Sequence, residues 1–301
     1  MNLAPILLFT YKKLEPLKLT IDALTKNDLA SKSILYIFSD GPAKKEDNRQ
    51  VDEVRSYIQN INGFSQVNLI ISKTNKGLAR SIIEGVSKIL ETSEAVIVLE
   101  DDLLTSNNFL TFTNKALKYY GNNPKILSIA GYTPPIKLPN DYNYDTYFTL
   151  RASSWGWATW RSKWEKVDWS VQDYSVFKED RKAKRRFNQM GSDMSRMLND
   201  QMNGKLSSWA IRWCYHQFKY GLYTVFPTVS KINNIGFGEE ATHTNGKSTD
   251  LRFNTTLDDT HSDEFNFNES VQLDDRFVKQ FVRPYSLRTR IYYKVRNILK
   301  V

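Results

Sequence analysis

"AVIVLEDDLLTS", residues 95–106, carries five residues without a charge straight into three adjacent carboxylates, Glu100, Asp101 and Asp102. A short apolar run bounded by charge reads as a strand buried on both faces, the kind found inside parallel sheets. The stretches upstream repeat the pattern. "PILLFTYKK" (5–13) reads as a first buried strand, and "LEPLKLTIDALTKNDL" (14–29) spaces Leu17, Ile21 and Leu24 as a helix does. "SILYIFSDGP" (33–42) is a second strand closed by Asp40 and a Gly-Pro turn, and "KEDNRQVDEVRSYIQNI" (45–61) is a helix with a charged face. "VNLIIS" (67–72) is a third strand and "GLARSIIEGVSKILETS" (77–93) a further helix, which makes residues 95–102 the fourth strand. Strict strand–helix alternation predicts right-handed crossovers and a parallel sheet. Ligands of such sheets bind beyond the carboxyl ends of the strands. Thr10, Tyr11, Asp40 and the Glu100–Asp102 triplet all fall at those ends, so one crevice is expected to hold them.

Like charges side by side raise each other's pKa unless something positive or solvent separates them. The triplet reads in two ways. It caps the next helix or sits in water, or it chelates Mg²⁺ or Mn²⁺ whose remaining positions take phosphate oxygens.

Past residue 106 the alternation loosens. "NNFLTFTNKALKYYGNN" is helical and "ILSIAG" a short strand; residues 178–198 are basic, polar and helical. "SSWAIRWCYHQFKYG" is an amphipathic helix, and "YTVFPTVSKINNIGFGEEATHT" a strand followed by a Gly-rich loop. Residues 151–170 hold five of the seven tryptophans. No internal repeat or low-complexity segment interrupts the chain.

Composition sets the frame. A chain of 301 residues, 41% hydrophobic and 25% charged, builds one large domain or two small ones around a full core. The single cysteine, Cys214, excludes an internal disulfide and fits a reducing compartment. No basic n-region precedes the first apolar run, and no apolar run approaches the ~18 residues of a membrane span. A cytoplasmic location is expected, and the Asn-x-Ser/Thr matches at Asn254 and Asn268 are set aside.

The net charge of +9 is concentrated at the end of the chain. Residues 276–301 contain eight Lys or Arg and no Asp or Glu. "LRTRIYYKVRNILKV" places Leu287, Ile291, Val295 and Ile298 on one helical stripe flanked by Arg288, Lys294 and Arg296. Such a segment lies in the plane of an anionic membrane surface, here the inner face, or packs its stripe on the body and turns its charges to water. A nucleic-acid partner is not expected, because the charges accompany an aliphatic stripe and no groove-reading motif.

Four segments, in order, carry a resemblance. "VIVLEDDL" resembles the metal-binding acidic motif of GT-A nucleotide-sugar-dependent glycosyltransferases, in the form of the N-acetylglucosaminyltransferase I family. "NKGLARSIIEGV" is similar to the Asn-x-Gly-x-x-Arg segment of bacterial family 2 enzymes. "SSWGWATWRSKW" and "NNIGFGEEATHT" resemble segments of bacterial polysaccharide-assembly transferases. The resemblance covers residues 1 to about 245. It implies the GT-A fold: an α/β, Rossmann-like, mostly parallel sheet flanked by helices, with the basic helical extension added behind. The catalytic domain is expected over 1–245, with a nucleotide-binding half (1–130) and an acceptor and sugar half (131–245). Residues 246–275 are expected to be a linker, and 276–301 the basic amphipathic segment.

The resemblance also implies site roles. Asp102 would be the direct ligand of Mn²⁺ or Mg²⁺, and His243 in the Gly-rich loop would complete the site. Glu100 and Asp101 would hold ribose, metal waters or nearby backbone. Thr10, Tyr11 and Asp40 would meet the base and ribose, and Asn75 and Arg80 would lie near base and diphosphate. Arg80 reads equally as a helix-surface charge, and Asp40 as a stabiliser of its own turn. Trp155 and Trp157 would contact the sugar, or serve only the core. The partners implied are a nucleoside-diphosphate sugar, uridine in the reading adopted, and a glycan or lipid-linked acceptor of surface polysaccharide assembly.

One departure stands out. The related enzymes place a proton-accepting carboxylate before the Trp-containing helix, where this chain has Ser207 and Ser208. Neither serine is a base unaided. Glu239 and Asp200 are the candidate substitutes. The alternatives are a sugar-nucleotide-binding protein without turnover, and a nucleotidyltransferase, for which "FTYKKLEP" lacks the glycines of a phosphate loop.

Overall fold

The computed structural model describes residues 3–236, 252–253 and 255–299, with side chains as far as Tyr293 at the carboxyl end. Glu239 and His243 lie outside the described residues. Among the described residues ten strands form: β1 (Ile6–Thr10), β2 (Ile34–Ser39), β3 (Gln66–Ile71), β4 (Ala95–Glu100), β5 (Leu103–Thr105), β6 (Ile126–Ala130), β7 (Thr146–Thr149), β8 (Trp157–Trp160), β9 (Tyr223–Pro227) and β10 (Ile232–Asn234). The helices are α1 (Leu14–Thr25), α2 (Asn48–Ile58), α3 (Leu78–Leu90), α4 (Phe109–Tyr120), α5 (Arg161–Trp164), α6 (Tyr174–Glu179), α7 (Arg181–Phe187), α8 (Met194–Met202), α9 (Trp209–Lys219), α10 (Asp275–Val282) and α11 (Leu287–Leu299).

Eight strands make one sheet in the order β3-β2-β1-β4-β8-β6-β9-β7. The first four are parallel, with Thr10 opposite Ser39 and Phe9 opposite Glu100. This is the α/β sheet the alternating pattern predicts, mostly parallel and flanked by helices. Its two faces separate by the period of two along each strand. Ile6, Leu8, Leu35 and Ile37 pack beneath Leu17, Ile21 and Leu24 of α1 and Val54 and Ile58 of α2. Leu7, Phe9, Val96 and Val98 face the other way, toward Ile82, Val86 and Ile89 of α3. Burying each such aliphatic side chain contributes about 1.5–3 kcal/mol.

The sheet runs unbroken through the expected boundary at residue 130. β8 enters antiparallel beside β4, with Val98 opposite Trp157, and links it to β6. β5 and β10 form a separate antiparallel ribbon that starts directly after the acidic triplet, Asn234 facing Leu103.

Residues 255–274, expected as a linker, lie against the body. Phe265 and Phe267 pack on Phe112, and the buried pair Lys231–Asp258, which Asn108 also meets, fastens the segment down. The basic segment divides in two. Phe277 and Phe281 of α10 are buried against Tyr147 and Phe226, so α10 belongs to the body. On α11, Leu287 and Ile291 are exposed. Among the described residues no helix is long and apolar enough to cross a membrane.

Candidate functional site

A cleft of about 760 Å³ opens at the carboxyl ends of β1 to β4. Each strand hands it a polar residue as it ends: Thr10 at the end of β1 with Tyr11 after it, Asp40 after β2, Ser72 after β3, and Glu100 at the end of β4 with Asp101 and Asp102 after it. The floor is apolar, with Phe9 and Phe38 stacked 4.6 Å apart. Trp155, Asn75, Ser207, Asn234 and Gly236 complete the walls.

The triplet is half-buried. Asp101 accepts from the Thr10 hydroxyl (2.8 Å) and the Tyr11 N–H (3.2 Å). Burial, then the charge of Asp102, pushes the Asp101 carboxyl up to about 6 against those two donors. Burial, then Asp102 and Asp101, raises Glu100 well above the usual carboxylate range, and Lys13 draws it partly back. Carboxylates that raise one another in this way gain from a cation placed among them.

Asp102 sits where the ribbon returns. The Ile235 N–H donates to the Asp102 carbonyl (2.9 Å), and a Cβ at Gly236 would stand 2.0 Å from Asp102 Oδ2. Only a glycine admits the carboxylate there. The Asn234 amide oxygen accepts from the Gly236 N–H (2.7 Å) and would lie 3.2 Å from the same Cβ, so hard oxygen donors gather at this point. Among the described residues no three His, Cys, Asp or Glu side chains converge into a metal cage of their own. The donor set fits an ion that takes one or two carboxylates and completes its shell with phosphate oxygens and water, as Mg²⁺ does.

Asp40 has a different task. Its carboxylate accepts the N–H groups of Gly41 (2.8 Å), Lys76 (2.9 Å) and Gly77 (2.9 Å), while Asn75 Nδ2 donates to the Gly41 carbonyl (2.8 Å). The loop into α3 is thereby clasped to the end of β2. Arg55 reinforces the clasp from below, donating to the Asp40 and Ser72 carbonyls. Tyr11 donates its phenol proton to Asp47 (2.8 Å) and accepts from the Ala43 N–H (2.8 Å), so it too is held as a wall.

Three expected residues do not line the cleft. Arg80 lies off the buried face of α3, its side chain 70% exposed and paired with Glu84. Asp200 sits on α8, its carbonyl accepting from the N–H groups of Lys205 and Leu206. Trp157 is 2% exposed, stacked on Trp164 and Trp209. The expected sugar contact by Trp157 is therefore corrected to a core role. The cause is Gly156, whose φ of +57° turns the chain so that Trp155 reaches the cleft while Trp157 enters the core behind it.

Ser207 lines the cleft, and Ser208 is occupied as the N-cap of α9, accepting from the Ile211 N–H (3.3 Å). Lys12, Lys13, Lys76 and Lys88, unassigned from sequence, also line the cleft. Lys12 and Lys13 follow Thr10 and Tyr11 directly, and their place past a strand end was the available signal.

No family model matches the sequence, and no curated protein matches it. Among solved structures, the chain is similar to the mannosyltransferase PcManGT from Pyrobaculum calidifontis in complex with GDP-Man and Mn²⁺, at 13% identity and a TM-score of 0.40, over 72% of this chain and 69% of that one. It is similar to S. aureus TarS 1–349 at 9% identity and a TM-score of 0.43, over 77% of this chain and 60% of that one. With TarS 1–349 in complex with UDP-GlcNAc the values are 11% and 0.32, over 46% and 36%. Likeness at this level carries no chemistry across, so function rests on the residues of this chain.

Proposed function

We propose that the protein is a metal-dependent glycosyltransferase that moves a sugar from a nucleoside-diphosphate sugar, a uridine one, to a hydroxyl of a glycan or lipid-linked acceptor in surface polysaccharide synthesis. The carrying observation is the acidic triplet at the strand ends, lining a cleft of about 760 Å³ together with cationic Lys12, Lys13 and Lys76. Carboxylates for a metal and ammonium groups for phosphates in one cleft are the composition a metal–diphosphate complex requires. Lys12 and Lys76 also pair with Asp47 and Glu84, which leaves Lys13 the nearest to the acidic side. Asp102 would hold the ion, with His243 as its further ligand. Glu100 and Asp101 order the floor around it, Asp101 through Thr10 and Tyr11. Bound there, Mn²⁺ or Mg²⁺ supplies charge stabilisation for a departing diphosphate. Lys13 offsets the residual charge on the acidic side. Asn75, placed by the Asp40 clasp, and Tyr11 border the nucleoside, and Trp155 offers an indole face to the sugar. Glu239 is the proposed proton acceptor, since Ser207 and Ser208 lack basicity; Asp200, which does not line the cleft, is the alternative.

The test is titration of the protein with UDP in Mn²⁺. Asp102→Asn is expected to weaken binding roughly a hundredfold, about 3 kcal/mol, with unchanged thermal stability. Unchanged affinity sinks the assignment. In turnover assays across nucleotide sugars, Glu239→Gln is expected to abolish transfer and keep UDP binding; if only Asp200→Asn does so, the base is Asp200. Ser207 at the cleft also favours a second reading, a sugar-nucleotide-binding protein without turnover. Tight UDP binding with no transfer from any donor selects it.

The same proposal places the protein at an anionic membrane surface through α11. Exposed Leu287 and Ile291 on one face, with exposed Arg288 beside them, support it. Each basic residue near such a surface contributes about 1 kcal/mol, less as salt rises. Because Phe277 and Phe281 are buried, the informative truncation ends at Ser286 and spares α10. Co-sedimentation with phosphatidylglycerol vesicles at low salt is expected for the full chain and lost on truncation.

A further inference from the structure

α11 leaves the body from a rigid mount. Arg151 forms a two-pronged pair with Asp193 (2.9 and 3.1 Å), both side chains only 13% exposed. The Tyr285 ring lies 3.7 Å from the Arg151 guanidinium carbon. Planar Arg–carboxylate pairs fix orientation as well as position, and a ring on the guanidinium face adds a third constraint. The Tyr285 carbonyl accepts from the Ser192 hydroxyl (2.9 Å), and Arg290 donates to that same hydroxyl oxygen (3.1 Å). α11 begins two residues after Tyr285, and at 13 residues it extends about 20 Å from there.

The mount adjoins the cleft. Arg252 lies 5.7 Å from the ring of Tyr293 on α11. Its neighbour Phe253 touches Tyr285 (5.3 Å between centroids) on one side and Trp155 (5.8 Å) on the other. Trp155 lines the cleft. Two residues therefore separate the exposed amphipathic helix from the cleft wall. A helix on a loose tether would leave the cleft in no fixed relation to a membrane; this one is held beside it.

We infer that α11 holds the cleft mouth toward the bilayer, so that the acceptor is an amphiphile anchored in that membrane and not a free glycan. The inference rests on the membrane docking proposed above. It does not depend on which sugar is transferred.

The test uses the full chain with one added cysteine, since Cys214 is buried and its thiol is raised by burial, which keeps it inert to labelling. One variant is Ser207→Cys in the cleft. The other is Glu91→Cys, exposed just past α3 at the opposite end of the sheet. Each carries a fluorophore and is mixed with phosphatidylglycerol vesicles containing nitroxide-labelled lipid, with sedimentation measured in parallel. The expected result is quenching at 207 several-fold above that at 91, lost on truncation after Ser286. Sedimentation with equal quenching, or with stronger quenching at 91, overturns this inference and leaves membrane docking standing. Absence of sedimentation overturns both.

Discussion

Replacing Asp40 by Asn separates a clasp from a ligand. Asp40 is 8% exposed, and its carboxylate accepts from the backbone N–H groups of Gly41, Lys76 and Gly77 at 2.8 to 2.9 Å. Asparagine keeps one oxygen, which still serves Gly41 and Lys76. Its amide nitrogen then faces the Gly77 N–H, donor against donor. A hydrogen bond to a charged group contributes about 1.5–3 kcal/mol, and a stranded N–H costs about 1–3 more. Some relaxation of the loop offsets part of this, leaving about 3 kcal/mol. In a chain of this size each kcal/mol moves the melting temperature by about 2 °C, so Asp40→Asn is expected to melt about 6 °C lower. The assay is a thermal scan by circular dichroism at pH 7, paired with UDP titration. Weakened UDP binding should accompany the lower melt, because Asn75, Lys76 and Gly77 border the cleft through this loop. A variant that melts within 1 °C of wild type but loses UDP would refute the clasp and make Asp40 a direct ligand.

Gly236→Ala drives a Cβ to 2.0 Å from Asp102 Oδ2, so the carboxylate must swing away; at least a tenfold loss of Mn²⁺-dependent UDP affinity is expected with little change in melting, and retained affinity would show Asp102 idle. His216 is 6% exposed, and burial, then Lys219, lowers its imidazole to about 4, against about 6.5 when unfolded. The unfolded chain thus takes up the proton first, and stability falls as pH drops from about 6.5 toward 4, by about 2.5 kcal/mol at pH 4.5. His216→Gln should flatten that fall in urea unfolding at pH 7 and 4.5; an unaltered pH dependence contradicts the assignment.

The parallel half of the fold is legible because local signals agree. Each of β1 to β4 is an apolar run, each intervening helix has its own stripe, and the chain order alone fixes the layers. β8 is not legible. Its place between β4 and β6 depends on pairing Val98 with Trp157 across nearly sixty positions, and no local pattern encodes that partner. The site divides the same way. Thr10, Tyr11, Asp40 and the triplet follow from strand ends. The split between Trp155 and Trp157 hangs on the positive φ of Gly156, a backbone choice that composition does not announce. Arg80 was readable in principle. With Ala79, Ile82, Val86 and Ile89 marking the buried face of α3, position 80 falls outside it. At the carboxyl end, dense charge masks Phe277 and Phe281, four apart and already the seam of a buried helix.

The tryptophan cluster has an optical consequence. Trp157, Trp164, Trp169, Trp209 and Trp213 lie with each ring 4.6 to 4.9 Å from at least one other. At such spacing indole transition dipoles couple, and excitation delocalises over the group before it is emitted. The far-ultraviolet dichroism of the protein, where the strong indole transition absorbs, should therefore carry an exciton couplet that disappears in one step on unfolding. Trp155 stands apart from that antenna, in edge contact with Tyr132 and Phe253 on the cleft wall. Under the proposed function its emission would report on the site without any dye, altered by a bound nucleotide while the couplet stays constant.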